Sequence, residues 1–530
     1  MNDRSYWVWL CVVGLSLFPA RATAQVTDPL RLQSGLLSGA PGSDQAVRVY
    51  KGIPYAAPPV GDLRWRPPQP PDSWEGVRTA DAFAPGCVQH VAGSRPPWTE
   101  EFMHQGVVSE DCLYLNVWTA AGNIEDRHPV LVYIHGGGFS EGSGSVAVYD
   151  GERLAKKGLV VVTINYRLGV LGFLAHPELT AESGYNASGN YGLLDQVAAL
   201  QWVQQNIAAF GGDPDNVTIA GQSAGAISVY LLTASPLATG LFHRTIVESG
   251  PGGLASFGLN SSRSLARPLA EAETSGSQFA AARGAASLRE LRAMSADSLT
   301  ATPAAGSPPL RFGTVVDGYF LPDDLATIYA QGEQNDVPML TGFNADEASA
   351  FPGYGKVTAE QFREIARQRY GESVDAFLEL YPAGTDEAAG SAQKTSQRDM
   401  AAVALGRLAA ERGRTAKTDA YLYYFERSIP WPEHPEFGAF HTAEVPYVFN
   451  NLAILDRPWE AVDRELADAV SSYWANFAAR GDPNGDGLPT WPAYEAAPHA
   501  VMVLGESIGP RQMPADDARR AFFDAQLGKD

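Results

Sequence analysis

"NVTIAGQSAG", residues 216–225, runs from an apolar β-type segment straight into a serine held between two glycines. Gly221-Gln222-Ser223-Ala224-Gly225 fits the pattern G-x-S-x-G. The reason for that pattern is steric. A chain that turns sharply from strand to helix imposes strained backbone angles on the serine, and flanking glycines remove side chains that would clash. The hydroxyl is then held above the sheet edge, at the start of a helix whose dipole favours negative charge. Here the match follows a β-type run and precedes the helix-compatible "AGAISVYLLT", which is the context it requires. Ser223 is therefore the expected nucleophile, with a tight structural turn as the alternative.

Outward from this serine, apolar runs alternate with helical patterns. "VLVYIHGGGF" (130–139), "LVVVTINYR" (159–167), "RTIVESG" (244–250), "VPMLTGFNADE" (337–347) and "AYLYYFERS" (420–428) read as strands. In "GLLDQVAALQWVQQNIAAFGGDP" (192–214), Leu193, Val197, Leu200, Val203 and Ile207 share a helical face until Gly211 and Gly212 stop it. Such alternation predicts an α/β fold, a mostly parallel central sheet with helices on both faces. Residues 261–310 and 356–416 break the rhythm and read as helical insertions over the end of the sheet where ligands bind. "SLRE" (287–290) is a capping-box signal in the first of them.

The bulk composition excludes some functions. The chain has 530 residues, is 45% hydrophobic and carries a formal charge of −21 with no basic tract. Nucleic acid and anionic membrane surfaces both demand local positive charge, so neither is an expected partner. Residues 1–24 read as a signal peptide: Arg4, an apolar run from Tyr6 to Phe18, then Ala22-Thr23-Ala24 as a cleavage site before Gln25. The run is short for a membrane span of about 20 residues. A secreted or periplasmic protein is expected, with 25–530 as a single domain and no membrane span in the mature chain. Of three cysteines, Cys11 would leave with the signal peptide, and Cys87 and Cys112 remain as an even pair whose natural reading in an exported chain is a disulfide. No C-x-x-C suggests zinc or redox chemistry.

A serine hydroxyl needs a base, the base needs an orienting acid, and the developing oxyanion needs preorganised N–H donors. "HGGGF" (135–139) suits the last requirement, because successive glycines let backbone N–H groups approach a substrate oxygen. At this point the chain resembles the type-B carboxylesterases, the α/β-hydrolase family that also contains the cholinesterases. "YKGIPYAAPPVGDLRWRPPQP" (50–70), "SEDCLYLNVW" (109–118), "NYRLGVLGFL", "FHRTIVESG" and "ARGDPNGDGLPTWPAY" fall in family order over nearly all of the mature chain.

The resemblance implies a carboxylic-ester hydrolase acting on small-molecule esters, closest to the broad bacterial enzymes, with no cofactor and no metal. It implies Glu347 in "TGFNADEASAF" as acid, with Ala348 where the family often has glycine, and His441 in "GAFHTAEVPYVF" as base, with Thr442 where glycine is usual. His434 reads as a surface residue. The oxyanion donors are expected to be the N–H groups of Gly137, Gly138 and Ala224. Ser249 matches a supporting serine, or else is a strand-end residue without a catalytic role. Arg64 with Glu110 and Arg167 with Asp195 match structural ion pairs, and Cys87–Cys112 matches the first disulfide loop. The position of the cholinesterase tryptophan is Phe102, with Trp98 off register, so choline esters are not favoured.

Alternatives in other classes are an amide or thioester hydrolase and a non-catalytic binding module on the same fold. "DPNGDG" (482–487) starts like a calcium loop, but Ala493 stands at its twelfth position and a polar turn is expected. Asn186, Asn216 and Asn260 lie in N-x-S/T triplets. Oligomeric state is not readable.

Overall fold

The computed structural model describes residue 26 and residues 28–91, 93–255, 265–302, 312–495 and 499–528. Residues 1–24, read from sequence as a signal peptide, Asn260 and parts of the 261–310 segment lie outside the described residues.

One sheet of eleven strands organises the chain. In sequence order they are β1 (Ala40–Pro41), β2 (Arg48–Pro54), β3 (Tyr114–Thr119), β4 (His128–Ile134), β5 (Val160–Ile164), β6 (Gly212–Gln222), β7 (Arg244–Glu248), β8 (Met339–Asn344), β9 (Ala420–Phe425), β10 (Ala500–Leu504) and β11 (Gly509–Gln512). Their spatial order is 11-10-9-8-7-6-4-5-3-2-1. Every pairing from β5 through β4 to β10 is parallel, and the outer pairings at both ends are antiparallel. The sheet is thus mostly parallel, as the alternation predicted.

Strand periodicity divides the core. Val130, Val132 and Ile134 of β4 face one side with Val160, Val162 and Ile164 of β5, while Leu131, Tyr133 and Val161 face the other. Helices α1 (Tyr191–Asn206) and α2 (Ala224–Thr233) cover the first side. Leu193, Val197, Leu200, Val203 and Ile207 are all buried there, each stabilising the fold by roughly 1.5–3 kcal/mol relative to exposure. Every residue of α2 is buried, which explains a helix that is apolar all round. The opposite side is covered by α4 (Asp386–Arg412) and α5 (Ala461–Arg480) through Ala401, Leu405, Val470 and Trp474.

The inserted segments are helical, as expected: α3 (Leu269–Ala282) and short helices follow in the first, and α4 closes the second. Ser287 caps its helix by accepting the Glu290 N–H, while the Glu290 carboxylate reaches back to the Ala286 N–H rather than to Ser287 itself. Among the described residues, the cavity beside Ser223 takes its lining from the 87–112 loop and short turns, not from α3 or α4. Helix α4 stands behind that wall: it buries Phe343 and Tyr424 on the sheet face, and Arg398 donates to Ala345 O at 3.1 Å beside Glu347.

The connections place the site. From β4 the chain moves to β5 on one side, and from β6 it moves to β7 on the other. The crevice beyond the carboxyl ends of β4 and β6 is therefore a topological switch point, where open α/β sheets bind ligands.

Candidate active site

Ser223 follows β6 directly and adopts φ 57°, ψ −119°. That conformation costs on the order of 1–3 kcal/mol. The Ser223 N–H donates to Glu248 O at 3.0 Å, and its carbonyl accepts from Ile227 N–H at 2.9 Å to start α2. The glycines answer measurable clashes: a Cβ on Gly225 would lie 2.0 Å from Ile134 O, and one on Gly221 2.6 Å from the Gly225 carbonyl carbon. Strand β4 and helix α2 meet too closely for any side chain there.

The loop after β4 brings the second element. Gly137 and Gly138 have φ of 101° and 61°, and Phe139 follows at 60°. A Cβ on Gly137 would sit 2.1 Å from Glu141 O, so only glycine closes this turn. Ser140 and Glu141 N–H both donate to Gly137 O at 3.0 and 3.1 Å. His135 is buried and stacked on Tyr166, and burial pushes its imidazole down to about 4, so it stays neutral. Among the described residues, no acceptor meets the N–H groups of Gly137, Gly138 or Ala224.

The third element joins Glu347, just past β8, to His441. The His441 Nδ1–H donates to Glu347 Oε2 at 2.5 Å, and Glu347 Oε1 accepts the Asn344 N–H at 2.9 Å. Both side chains are buried. Burial pushes the His441 imidazole down, but the charge and hydrogen bond of Glu347, aided by Glu444, outweigh it and hold it above the ordinary histidine value. Gln222 Nε2 lies 3.3 Å from His441 Nε2 and 3.5 Å from Nδ1, a contact that favours neither ring nitrogen, so the tautomer is set by Glu347. Ser223, Gly137, Gly138 and His441 line one cavity of about 340 Å³, closed on one side by Trp98, Phe102 and Phe351. A second cavity, of about 380 Å³ between α4 and the C-terminal helix Asp517–Leu527, holds none of these residues.

Sequence reasoning missed a buried acid in this neighbourhood. Glu444 is fully buried, accepts Ser249 Oγ–H at 3.0 Å and accepts Asn344 Nδ2–H at 2.5 Å. Burial and the charge of Glu347 push its carboxyl up to about 7. Ser249, buried at φ 48°, thus bonds Glu444 through its hydroxyl. The available signal was the acid three residues after His441. Asp346, next to Glu347, instead accepts the Ala439 N–H at 3.2 Å and the Tyr354 hydroxyl at 2.9 Å, tying down the histidine loop.

The remaining sequence assignments are also located. Cys87 and Cys112 form a disulfide. Arg64 meets Glu110 through two bonds of 2.7 and 2.5 Å, and buried Arg167 meets Asp195 through two of 2.8 and 2.7 Å. His434 is half-buried at the surface, against Trp431 and Phe437 and beside Glu436. In "DPNGDG", Asp482 Oδ1 accepts the Asn484 N–H, and the Asn484 side chain bonds the Trp491 backbone in both directions, the pattern of a polar turn. Phe102 packs against Phe440, and Trp98 lies in the cavity wall with the Arg95 guanidinium 5.2 Å from its ring centre. Among the described residues no helix is long and apolar enough to cross a membrane.

A family model described as "Carboxylesterase family" matches residues 27–517. The chain is 38% identical to the fumonisin B1 esterase of Sphingopyxis macrogoltabida, covering 94% of this chain and 91% of that protein. It is 34% identical to the para-nitrobenzyl esterase of Bacillus subtilis, covering 91% of this chain and 96% of that protein. A carboxylesterase structure from Geobacillus stearothermophilus superimposes with a TM-score of 0.77 at 34% identity, over 94% of this chain and 99% of that one. The elbow at Ser223, the mostly parallel sheet and these relatives agree: the chain belongs to the carboxylesterase family and is a carboxylic-ester hydrolase on the α/β-hydrolase fold.

Proposed function

We propose that the protein hydrolyses small-molecule esters through a Ser223-His441-Glu347 triad and an acyl-enzyme intermediate. The observation that carries this reading is the 2.5 Å Glu347–His441 hydrogen bond, made by a histidine that lines the Ser223 cavity. Glu347 fixes the Nδ1–H tautomer, so Nε2 keeps its lone pair for the serine proton. Ser223 Oγ attacks the ester carbonyl as His441 Nε2 takes that proton. The carbonyl oxygen becomes an oxyanion on the N–H groups of Gly137, Gly138 and Ala224, donors that meet no other acceptor among the described residues. His441 returns the proton to the alkoxide, the alcohol leaves, and an ester links the acyl group to Ser223. Water then repeats the sequence, with His441 as base, and frees the acid and the serine.

A cavity of about 340 Å³ with Trp98, Phe102, Val146 and Phe351 in its wall suits a small aliphatic or aromatic ester. The Cys87–Cys112 disulfide supports an oxidising location, secreted or periplasmic, for a single domain spanning 25–530.

The test is hydrolysis of p-nitrophenyl acetate, butyrate and octanoate, with a thioester and an anilide alongside, by wild type and Ser223→Ala. Loss of all ester turnover in a folded Ser223→Ala supports the reading. Equal turnover in the two proteins removes Ser223 as nucleophile, and a preference for the anilide or thioester moves the substrate class.

A further inference from the structure

We propose that Trp98 is a positioning residue for His441, holding the loop beyond the imidazole through its indole N–H. The proposal rests on His441 being the base described above. The chain is fixed differently on the two sides of this histidine. On the near side, Asn344 Nδ2–H donates to Phe440 O at 2.9 Å, and the Asp346 N–H donates to Ala439 O at 3.0 Å. Those bonds come from the segment that carries Glu347, so acid and base are referenced to one strand end. On the far side stands Thr442, at φ 90°. A β-branched residue does not rest at that angle unless its surroundings hold it there.

What holds it is Trp98. Its Nε1–H is shared between Thr442 Oγ1 at 3.0 Å and His441 O at 3.2 Å, 343 residues away in sequence. The tryptophan is itself braced. Arg95 and Trp98 exchange two backbone hydrogen bonds, 2.7 and 2.9 Å, around Pro96-Pro97. The Arg95 guanidinium covers the indole and pairs with Glu141 at 2.6 Å. Glu141 closes the turn on Gly137. One side chain therefore couples the position of His441 to the loop that carries the proposed oxyanion donors. A glycine at 442 would need no such brace. The departure from the usual glycine and the tryptophan hook belong together.

Trp98 also lines the cavity, so the test must separate a hook from a wall. Trp98→Phe keeps an aromatic ring and removes the N–H. Thr442→Val keeps the shape and removes one of the two acceptors, the hydroxyl, leaving His441 O. Each is expected to lower kcat about tenfold while KM stays within about twofold, because a displaced base slows the chemistry without changing binding. The double variant should fall no further than Trp98→Phe alone, since losing the N–H already breaks the bond that Thr442→Val removes. Thr442→Ser, which keeps the oxygen, should recover most of what Val loses. Unchanged kcat in a folded Trp98→Phe, a change confined to KM, or losses that multiply in the double variant would overturn the proposal. If Trp98→Phe does not fold, Thr442→Val and Thr442→Ser probe the same bond from the other partner. His441→Ala separates the two levels of the argument. Full activity in it removes His441 as base and this proposal with it, whereas an inactive His441→Ala beside a fully active Trp98→Phe removes only the hook.

Discussion

Ser223 and Thr442 both hold a backbone angle that side chains avoid, φ 57° and 90°, but the molecule pays for them in different ways. At the serine elbow the restraint is main chain against main chain. Strand β6 enters, helix α2 leaves, and Gly225 touches Ile134 O so closely that no other residue fits. In the histidine loop the restraint is a set of side-chain hydrogen bonds, from Asn344, Asp346 and Trp98, converging from distant parts of the chain. The elbow is a packed and local device. The histidine loop is assembled from pieces, and the last of them, the Glu347 carboxylate, bonds the imidazole itself. Adding an atom should damage the first, and changing a polar atom should damage the second while leaving the fold intact.

The largest expected effect is in the histidine loop. Glu347→Gln is nearly isosteric and keeps an oxygen or an amide against His441, but it no longer fixes the Nδ1–H tautomer. A loss of about 10⁴-fold in kcat is expected, with near-wild-type thermal unfolding. The pH profile gives the same argument a sign. The neutral imidazole is the active form, and Glu347 holds His441 above the ordinary value of 6.5, so kcat/KM in the wild type should fall on the acid side with a midpoint above 6.5. Residual activity in Glu347→Gln should have its midpoint moved down. A variant that unfolds would break the comparison, because the acid would then be part of the packing.

A buried acid beneath the elbow should behave in the opposite way. Glu248 ends β7, its carbonyl receives the Ser223 N–H, and its carboxyl meets Trp474 Nε1–H at 2.6 Å and the Tyr133 hydroxyl at 3.2 Å. Burial, with the charge of Glu444, pushes it up to about 8. The native protein therefore binds a proton between the ordinary value of 4.5 and about 8 that the unfolded chain has released. Stability must fall as pH rises through that window. Glu248→Gln, always neutral, escapes this loss. Its stability relative to wild type should rise from pH 5 to pH 9 by a few kcal/mol, about 1.4 kcal/mol for each pH unit of that window. Denaturant unfolding at both pH values checks it, and a constant difference would mean that Glu248 is charged in the native protein.

Next comes the elbow glycine. Gly225→Ala forces a methyl against a backbone oxygen at 2.0 Å that no rotamer relieves. A cost above about 3 kcal/mol and loss of activity are expected. Gly138→Ala, whose Cβ would meet only Ser140 Oγ at 3.8 Å, should cost only the penalty of its φ 61°, about 1–2 kcal/mol. Similar unfolding midpoints for the two would show that the elbow has room to relax.

The same contrast explains what was legible in sequence. Packing against the main chain leaves local marks: G-x-S-x-G, three glycines after a strand, unbroken apolar runs on β4 and β5. Glu347 and His441 came only through family resemblance, because no spacing connects residues 94 positions apart. Trp98 escaped because counting from Cys112 selects Phe102, while the Arg95-Trp98 turn brings the earlier aromatic to the cavity. Glu444 escaped because a loop spacing of three does not say where a carboxylate points. β10 and β11 went unread in "AVMVLGESIGPRQ", where glycine and proline interrupt the run and the edge strand is largely exposed.

The smallest effect tests the second angle directly. Thr442→Gly and Thr442→Ala both remove the hydroxyl, so both lose the Trp98 bond to it, and their difference isolates the backbone. Alanine retains the left-handed penalty of about 1–2 kcal/mol, which glycine lacks. Against that, glycine loosens the unfolded chain by about 0.4–1 kcal/mol. Thr442→Gly should therefore be the more stable of the two by about 1 kcal/mol, read from denaturant midpoints at constant slope. Equal midpoints would mean that the surrounding bonds, and not the residue, set φ 90° at no local cost, and the histidine loop would then resemble the elbow more than it differs from it. A glycine variant that is more stable yet slower in turnover would show strain and hook acting together, with stability given up so that the imidazole stays where the serine needs it.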